Sequence, residues 1–218
     1  MKLTIVYDDV KTDASHLQSD HGFSCYIETE ETVVLFDTGT NGKMLMHNMN
    51  KLEKDPEDIS SIVISHEHYD HNGGLPFLLK HIDPVTIYRL KNESSSEYDS
   101  TIRVEKPIKI ANHIWSTGRL DGDPKDEQSL ILETKNGIWV LVGCSHSGVG
   151  AILQRARRWG KVIGLIGGFH GFNEFSLLED IDVICPCHCT VHKQKIHHLY
   201  PEKSKNCSVG TTIDLKNR

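Results

Sequence analysis

The segment Ser65-His66-Glu67-His68-Tyr69-Asp70-His71 constrains this chain more than any other. It sets three imidazoles and an aspartate within six positions, directly after the apolar run Ile62-Val63-Ile64. In an extended or tightly turning segment, residues two apart project the same way, so His66 and His68 aim together. Asp70 and His71 follow at a spacing suited to a second ion beside the first. Imidazole nitrogen suits zinc and iron, and a carboxylate adds charge neutralisation. The competing reading is a polar loop that happens to be rich in histidine. Asn72-Gly73-Gly74 weighs against it, because two glycines let the backbone turn sharply and crowd ligands around one point.

With 218 residues, the chain is long enough for one sizeable core, and a single domain over residues 1–218 is the expectation. A hydrophobic share of 38% and a charged share of 25% are ordinary for a soluble globular protein. The net charge of −6 and the lack of a basic run argue against nucleic acid as a partner. No apolar run approaches the length that spans a bilayer, so no membrane partner is expected. The start, Met1 to Asp9, reads as a short strand without a secretory h-region, and the expected location is cytoplasmic. Oligomeric state is not legible. The fourteen histidines are the compositional outlier, and a metal site accounts economically for part of them.

The cysteines are Cys25, Cys144, Cys185, Cys187, Cys189 and Cys207. In a cytoplasmic chain of this size they are expected as thiols rather than as a disulfide framework. Cys185-Pro186-Cys187-His188-Cys189 invites a thiolate zinc site. On a strand, however, the three cysteines share one face and His188 points away. Buried small cysteines with a functional His188 are preferred.

Strands are expected at Leu3–Tyr7, Ser24–Thr29 and Thr32–Asp37, the last two joined by Glu30-Glu31. A helix is expected over Asn41–Leu52, with Met44, Leu45, Met49 and Leu52 on its apolar side. A helical turn follows at Pro56. Strand Ser61–Ile64 delivers the histidine cluster, and a helix over Leu75–His81 lies behind it. Val85–Leu90 and Ala111–Ser116 read as strands. Lys135-Asn136-Gly137 joins Leu130–Glu133 to Ile138–Val142 as a hairpin. Helix Val149–Trp159, strand Val162–Ile166, strand Ile181–Cys185 and helix His192–Leu199 complete the chain. Early hairpins followed by strand–helix alternation predict a layered α/β protein.

Several segments share one design: an apolar strand, a small-residue turn, then a ligand-type side chain. They end in Asp37, in His66–His71, in His146 and in His188, with His170 as a fifth case. Side chains at strand ends on one sheet edge can converge from distant positions.

On Phe36-Asp37-Thr38-Gly39, Ser65 through Gly74, Gly143-Cys144-Ser145-His146-Ser147-Gly148 and Pro186-Cys187-His188-Cys189-Thr190, the chain resembles the metallo-β-lactamase superfamily. The resemblance implies an αββα sandwich with a dinuclear metal centre. It implies two divalent ions, zinc with manganese or iron as alternatives. His66, His68 and His146 would bind the first, and Asp70, His71 and His188 the second. Asp37 would stand behind the ligands as a hydrogen-bond partner. The superfamily usually adds a bridging aspartate between the third and final histidine motifs. Asp182 lies six residues before His188, roughly 20 Å along an extended strand, at the wrong end. His170 occupies the expected place instead, as metal ligand or as substrate contact. His170 and the segment His21-Gly22-Phe23-Ser24 resemble one branch, which includes dihydropterin ribofuranosyl-aminobenzene phosphate synthases.

The function implied is a hydrolase in which a metal-activated water attacks an ester, phosphorylated or not, of a small and anionic substrate. Asp70 and His170 are the catalytic candidates. The pterin-pathway synthase is the alternative. A di-iron oxidoreductase is disfavoured, because those relatives carry glutamate where this chain has His68. A non-catalytic ligand binder is disfavoured by the complete ligand set. Specificity is expected in the loops Asn92–Ser100 and Gly118–Gln128. Arg89, Arg103, Arg119 and Lys125 read as ordinary solvated charges.

Overall fold

The computed structural model describes residues 1–14, 16–90 and 100–215. The chain divides into two compact units, Met1–Val104 with Ser208–Arg218, and Glu105–Cys207. Each has its own sheet and its own core.

In the first unit, β1 (Lys2–Tyr7), β2 (Ser24–Glu28) and β3 (Val33–Phe36) form an antiparallel meander. The turn between β2 and β3 is closed by Thr29, whose hydroxyl oxygen accepts from the backbone N–H groups of Glu31 and Thr32. From β3 onward the pairing is parallel, through β4 (Ile59–Val63), β5 (Thr86–Leu90) and β6 (Thr101–Val104). Parallel neighbours need a crossover, and α1 (Gly42–Lys51) supplies the one between β3 and β4. Asn41 caps α1 through its side-chain oxygen, which accepts from the N–H groups of Lys43 and Met44. Met44, Leu45 and Met49 are buried as the 3.6-residue period requires, packed with Tyr7, Leu35, Ile62 and Ile87. The short helices α2 (Tyr69–Asn72) and α3 (Leu75–Leu78) follow β4. The last strand of the chain, β13 (Thr212–Asp214), returns to pair with β1.

In the second unit, β7 (Ile108–Ala111), β8 (Ile114–Ser116), β9 (Leu130–Thr134) and β10 (Gly137–Val142) are antiparallel. The strands β11 (Val162–Gly168) and β12 (Val183–Cys187) then add in parallel. The crossover from β10 to β11 is α4 (Val149–Ala156), and α5 (Lys193–Leu199) follows β12. The core joins Val140, Val142, Ile152, Leu153, Leu165, Phe169 and Ile184. Trp139 is fully buried against Gly164, where an added Cβ would lie 2.0 Å from the indole. Only glycine fits there.

Four sequence expectations need correction. Ala111–Ser116 is not one strand. The chain turns at Asn112-His113, with His113 at φ 63°, so that β7 and β8 pair as a hairpin. Cys187 and Cys207 form a disulfide, their Cα atoms 5.2 Å apart, because the chain after α5 returns alongside β12. Arg89 is not a solvated charge but is 3% exposed. Within the expected specificity loop Gly118–Gln128, Glu127 and Gln128 are fully buried. Residues 92–99 of the other expected specificity loop lie outside the described residues. Among the described residues, no helix is long and apolar enough to cross a membrane.

Candidate metal centre

Parallel strands place ligand sites at their carboxyl ends, because the loops there leave the sheet on one side. In both units the predicted donors follow that rule. Asp37 follows β3, and His66 follows β4 after Ile64 and Ser65. His146, His170 and His188 follow β10, β11 and β12. Asp37, Ser145, His170 and His188 have φ of 57°, 61°, 44° and 41°. Non-glycine residues avoid that left-handed region, and such backbone strain clusters at functional sites.

In the first unit, His66 Nε2 lies 3.1 Å from His68 Nδ1, and Asp70 Oδ2 lies 3.5 Å from His71 Nε2. With metal–ligand bonds of about 2.0–2.1 Å, neighbouring donors around a tetrahedral ion stand about 3.3 Å apart. Both pairs fit that spacing. The His66 and His71 rings lie 4.2 Å apart between centroids, which brings the two pairs together.

Asp37 sets the chemistry of these rings. Its buried Oδ2 accepts from His71 Nδ1 at 2.7 Å and from the Ser65 hydroxyl at 2.7 Å. Its Oδ1 accepts from the Ser65 backbone N–H at 2.7 Å. Having donated its proton, Ser65 Oγ accepts from His66 Nδ1 at 2.9 Å. Both imidazoles therefore carry hydrogen on Nδ1 and present Nε2 as a lone pair, the form that binds metal. Burial pushes the Asp37 carboxyl upward, and the His71, Ser65 and backbone contacts oppose that shift. The neighbouring residues complete the support. The Thr38 N–H and hydroxyl both donate to the His71 carbonyl, at 2.7 and 3.1 Å. Gly74 passes so close to Thr38 that a Cβ would lie 2.2 Å from its carbonyl oxygen.

His21 is 3.3 Å from Asp70 Oδ2 through Nε2 and 3.5 Å from Asp9 Oδ2 through Nδ1. In the sequence it stands out only as the first residue of His21-Gly22-Phe23-Ser24.

In the second unit, the loop carrying His146 is anchored by Glu127. Its Oε1 accepts from the N–H groups of Gly143, Cys144 and Ser145 at 3.1, 2.9 and 3.1 Å. Its Oε2 accepts from the His146 N–H at 2.7 Å. Sequence reasoning missed Glu127, because an acidic residue in a polar loop carries no signal of burial. The Ser145 hydroxyl donates to the Gly168 carbonyl at 2.7 Å, tying this loop to the end of β11. The Val191 N–H donates to the His170 carbonyl at 2.9 Å, tying the turn after β12 to the turn after β11. The His146 and His170 rings lie 5.1 Å apart, His170 exposed and His188 3% exposed. Asp182 sits at the opposite end of β12, in an exposed pair with Lys161 at 4.0 Å, so it is no substitute for a bridging aspartate.

A family profile described as the Metallo-beta-lactamase superfamily matches residues 19–160, well over half of the chain. The chain belongs to the metallo-β-lactamase superfamily. The match takes in His66 to His71 and His146 and stops before His170 and His188. Among solved structures of this fold, Tm1679, described as a metal-dependent hydrolase of the beta-lactamase superfamily, superposes with a TM-score of 0.77 at 22% identity, covering 100% of both chains. The metallo-beta-lactamase fold protein YhfI from Bacillus subtilis gives 0.68 at 12% identity, covering 98% of this chain and 99% of its own. Among curated sequences, 7,8-dihydropterin-6-methyl-4-(beta-D-ribofuranosyl)-aminobenzene-5'-phosphate synthase of Methanocaldococcus jannaschii is 26% identical, covering 94% of this chain and 92% of its own length. The protein thus has the α/β metallo-β-lactamase fold, mixed sheets with helices.

Proposed function

We propose that this member of the superfamily is a metal-dependent hydrolase acting on an ester of a small anionic molecule. The observation that carries the reading is the Asp37 network, which turns the Nε2 atoms of His66 and His71 outward as lone pairs beside His68 and Asp70. His66, His68 and His146 would hold one divalent ion, and Asp70, His71 and His188 the other, as the family resemblance implies. Bound ions supply Lewis acidity and a water acidified toward neutral pH. Asp70, from its place in the ligand set, would orient the attacking water. His71 keeps its Nδ1 proton on Asp37 throughout. His170, exposed beside His146, donates to an anionic oxygen of the substrate.

Protein stripped with chelator and titrated with zinc is expected to take up two ions. His68→Ala and His71→Ala should each lose one while the fold survives, because both side chains stand beyond the strand end. Two ions retained at unchanged affinity in either variant would remove that residue from the ligand set. A panel of phosphomonoesters, phosphodiesters and carboxylic esters, with and without metal, tests the reaction. For His170→Ala, the expected result is two bound zinc ions and a KM for anionic substrates raised roughly tenfold, the loss of one charge-assisted hydrogen bond. Zinc lost instead would make His170 a ligand.

The curated relative supports a second reading, a synthase handling a phosphorylated ribofuranosyl-aminobenzene substrate. Turnover of that substrate without hydrolysis of any panel ester would favour it.

A further inference from the structure

Glu67 stands between His66 and His68 and is not a donor of the proposed centre. Its carboxylate accepts from Arg89 Nε at 2.7 Å, from Arg89 Nη2, and from Asn72 Nδ2 at 2.6 Å. The Glu67 and Arg89 side chains are 9% and 4% exposed. This is a forked, charge-assisted pair almost out of water, unlike surface pairs that contribute little.

Its place in the topology is specific. The last register pair of β4 and β5 is Val63 with Tyr88, and the Ile64 N–H donates to the Tyr88 carbonyl at 3.0 Å. Arg89 is the next residue of β5, so it stands level with the loop leaving β4. Asn72 is the last residue of α2. One carboxylate therefore ties β5 to both the front and the rear of the motif. Asp70 and His71 lie within the segment it closes, and His66 and His68 flank it.

Stability alone is a poor account of this bridge. Among the described residues, Arg89 Nη1 is buried without a hydrogen-bond partner, which is a cost to stability. An apolar pair in place of a buried ion pair is often as stable or more so. What the planar guanidinium fork does supply is a fixed orientation of the carboxylate it holds.

We propose that Glu67, locked by Arg89 and Asn72, is a positioning residue that sets the separation of the His66–His68 donor pair from the Asp70–His71 donor pair. The proposal rests on the metal reading of those four residues. It has its own signature. Removing a ligand empties one site, whereas releasing the clamp displaces both pairs and weakens both sites together.

The experiment measures zinc affinity at both sites by chelator competition, the visible spectrum of the cobalt-substituted protein, and thermal stability. Glu67→Gln is expected to bind zinc 10–100-fold more weakly at both sites, with an altered cobalt spectrum. In the double variant Glu67→Met/Arg89→Met, stability should return toward wild type while zinc affinity does not. If either variant fails to fold, the partly exposed Asn72→Ala decides, with an expected loss of about tenfold at both sites. Wild-type zinc affinity and cobalt spectrum in the folded variants would overturn the proposal and leave an ordinary salt bridge. Loss confined to one site would overturn it as well. A wild-type protein that binds no zinc would overturn the metal reading underneath, and the clamp with it.

Discussion

Replacing Glu127 with alanine is expected to destabilise the protein by roughly 3–5 kcal/mol, at the upper end of single-substitution effects. The carboxylate is fully buried and accepts from four consecutive backbone N–H groups, Gly143 to His146. Hydrogen bonds to charged groups are worth about 1.5–3 kcal/mol each, and a stranded buried donor costs about 1–3. The sum is not additive, because the loop relaxes and admits water. The melting temperature should fall on the order of 10 °C for a chain of this size. Glu127→Gln separates charge from shape. One oxygen remains for the N–H groups, but the new amide NH₂ opposes a donor, and about half the loss is expected. Urea unfolding followed at equilibrium measures both variants. A loss under 1 kcal/mol for Glu127→Ala would show that the loop is held by other contacts. Zinc binding at the site that uses His146 should weaken in parallel, since Glu127 fixes the backbone at that residue.

Asp37→Asn should weaken zinc binding by about 100-fold, the upper range for partners that orient metal ligands. The substitution suits the backbone, because Asn tolerates the φ of 57° found here. What changes is the donor pattern. Asp37 accepts from His71 Nδ1, from Ser65 Oγ and from the Ser65 N–H. An amide has one accepting oxygen, so its NH₂ must face one of these donors. In the place of Oδ2 it faces both the His71 ring, which it drives to the tautomer with hydrogen on Nε2, and the Ser65 hydroxyl, which must turn so that His66 loses its acceptor. In the place of Oδ1 it opposes the Ser65 backbone N–H, which cannot turn, so the segment leading into His66 must shift. Either way the support of the imidazoles is disturbed. Asp37→Ala strands all three donors and should also cost about 2–4 kcal/mol of stability. Isothermal titration of chelator-treated protein with zinc gives the affinities. Wild-type affinity in Asp37→Asn would show that the rings take their tautomers from elsewhere.

The histidine cluster was legible because its information is local. Two-residue spacing after an apolar strand aims His66 and His68 together, and the structure has their nitrogen atoms 3.1 Å apart. The apolar face of α1 was legible for the same reason, Met44, Leu45 and Met49 recurring at helical spacing. The strand that read as Ala111–Ser116 was not, because Asn112-His113 interrupts an otherwise continuous strand pattern. β13 escaped notice because its place is set by pairing with β1 across nearly the whole chain.

The sequence by itself determined the candidate donors: which imidazole and carboxylate side chains are available, and which strands end just before them. Hydrophobic periodicity and turn chemistry are properties of neighbouring residues, so they survive without the fold. Only the tertiary structure decided how the donors are held. Asp37 meets His71, 34 positions away, Glu67 meets Arg89 at 22 positions, and Glu127 meets His146 at 19. Cys187 meets Cys207 at 20. In the linear chain Glu67, Arg89 and Glu127 are ordinary polar residues and Cys187 and Cys207 ordinary thiols, while Asp37 is marked only by the family resemblance. Burial gives the carboxylates their force, because a buried charge must find donors, and the donors it finds are the backbone and rings that carry the site.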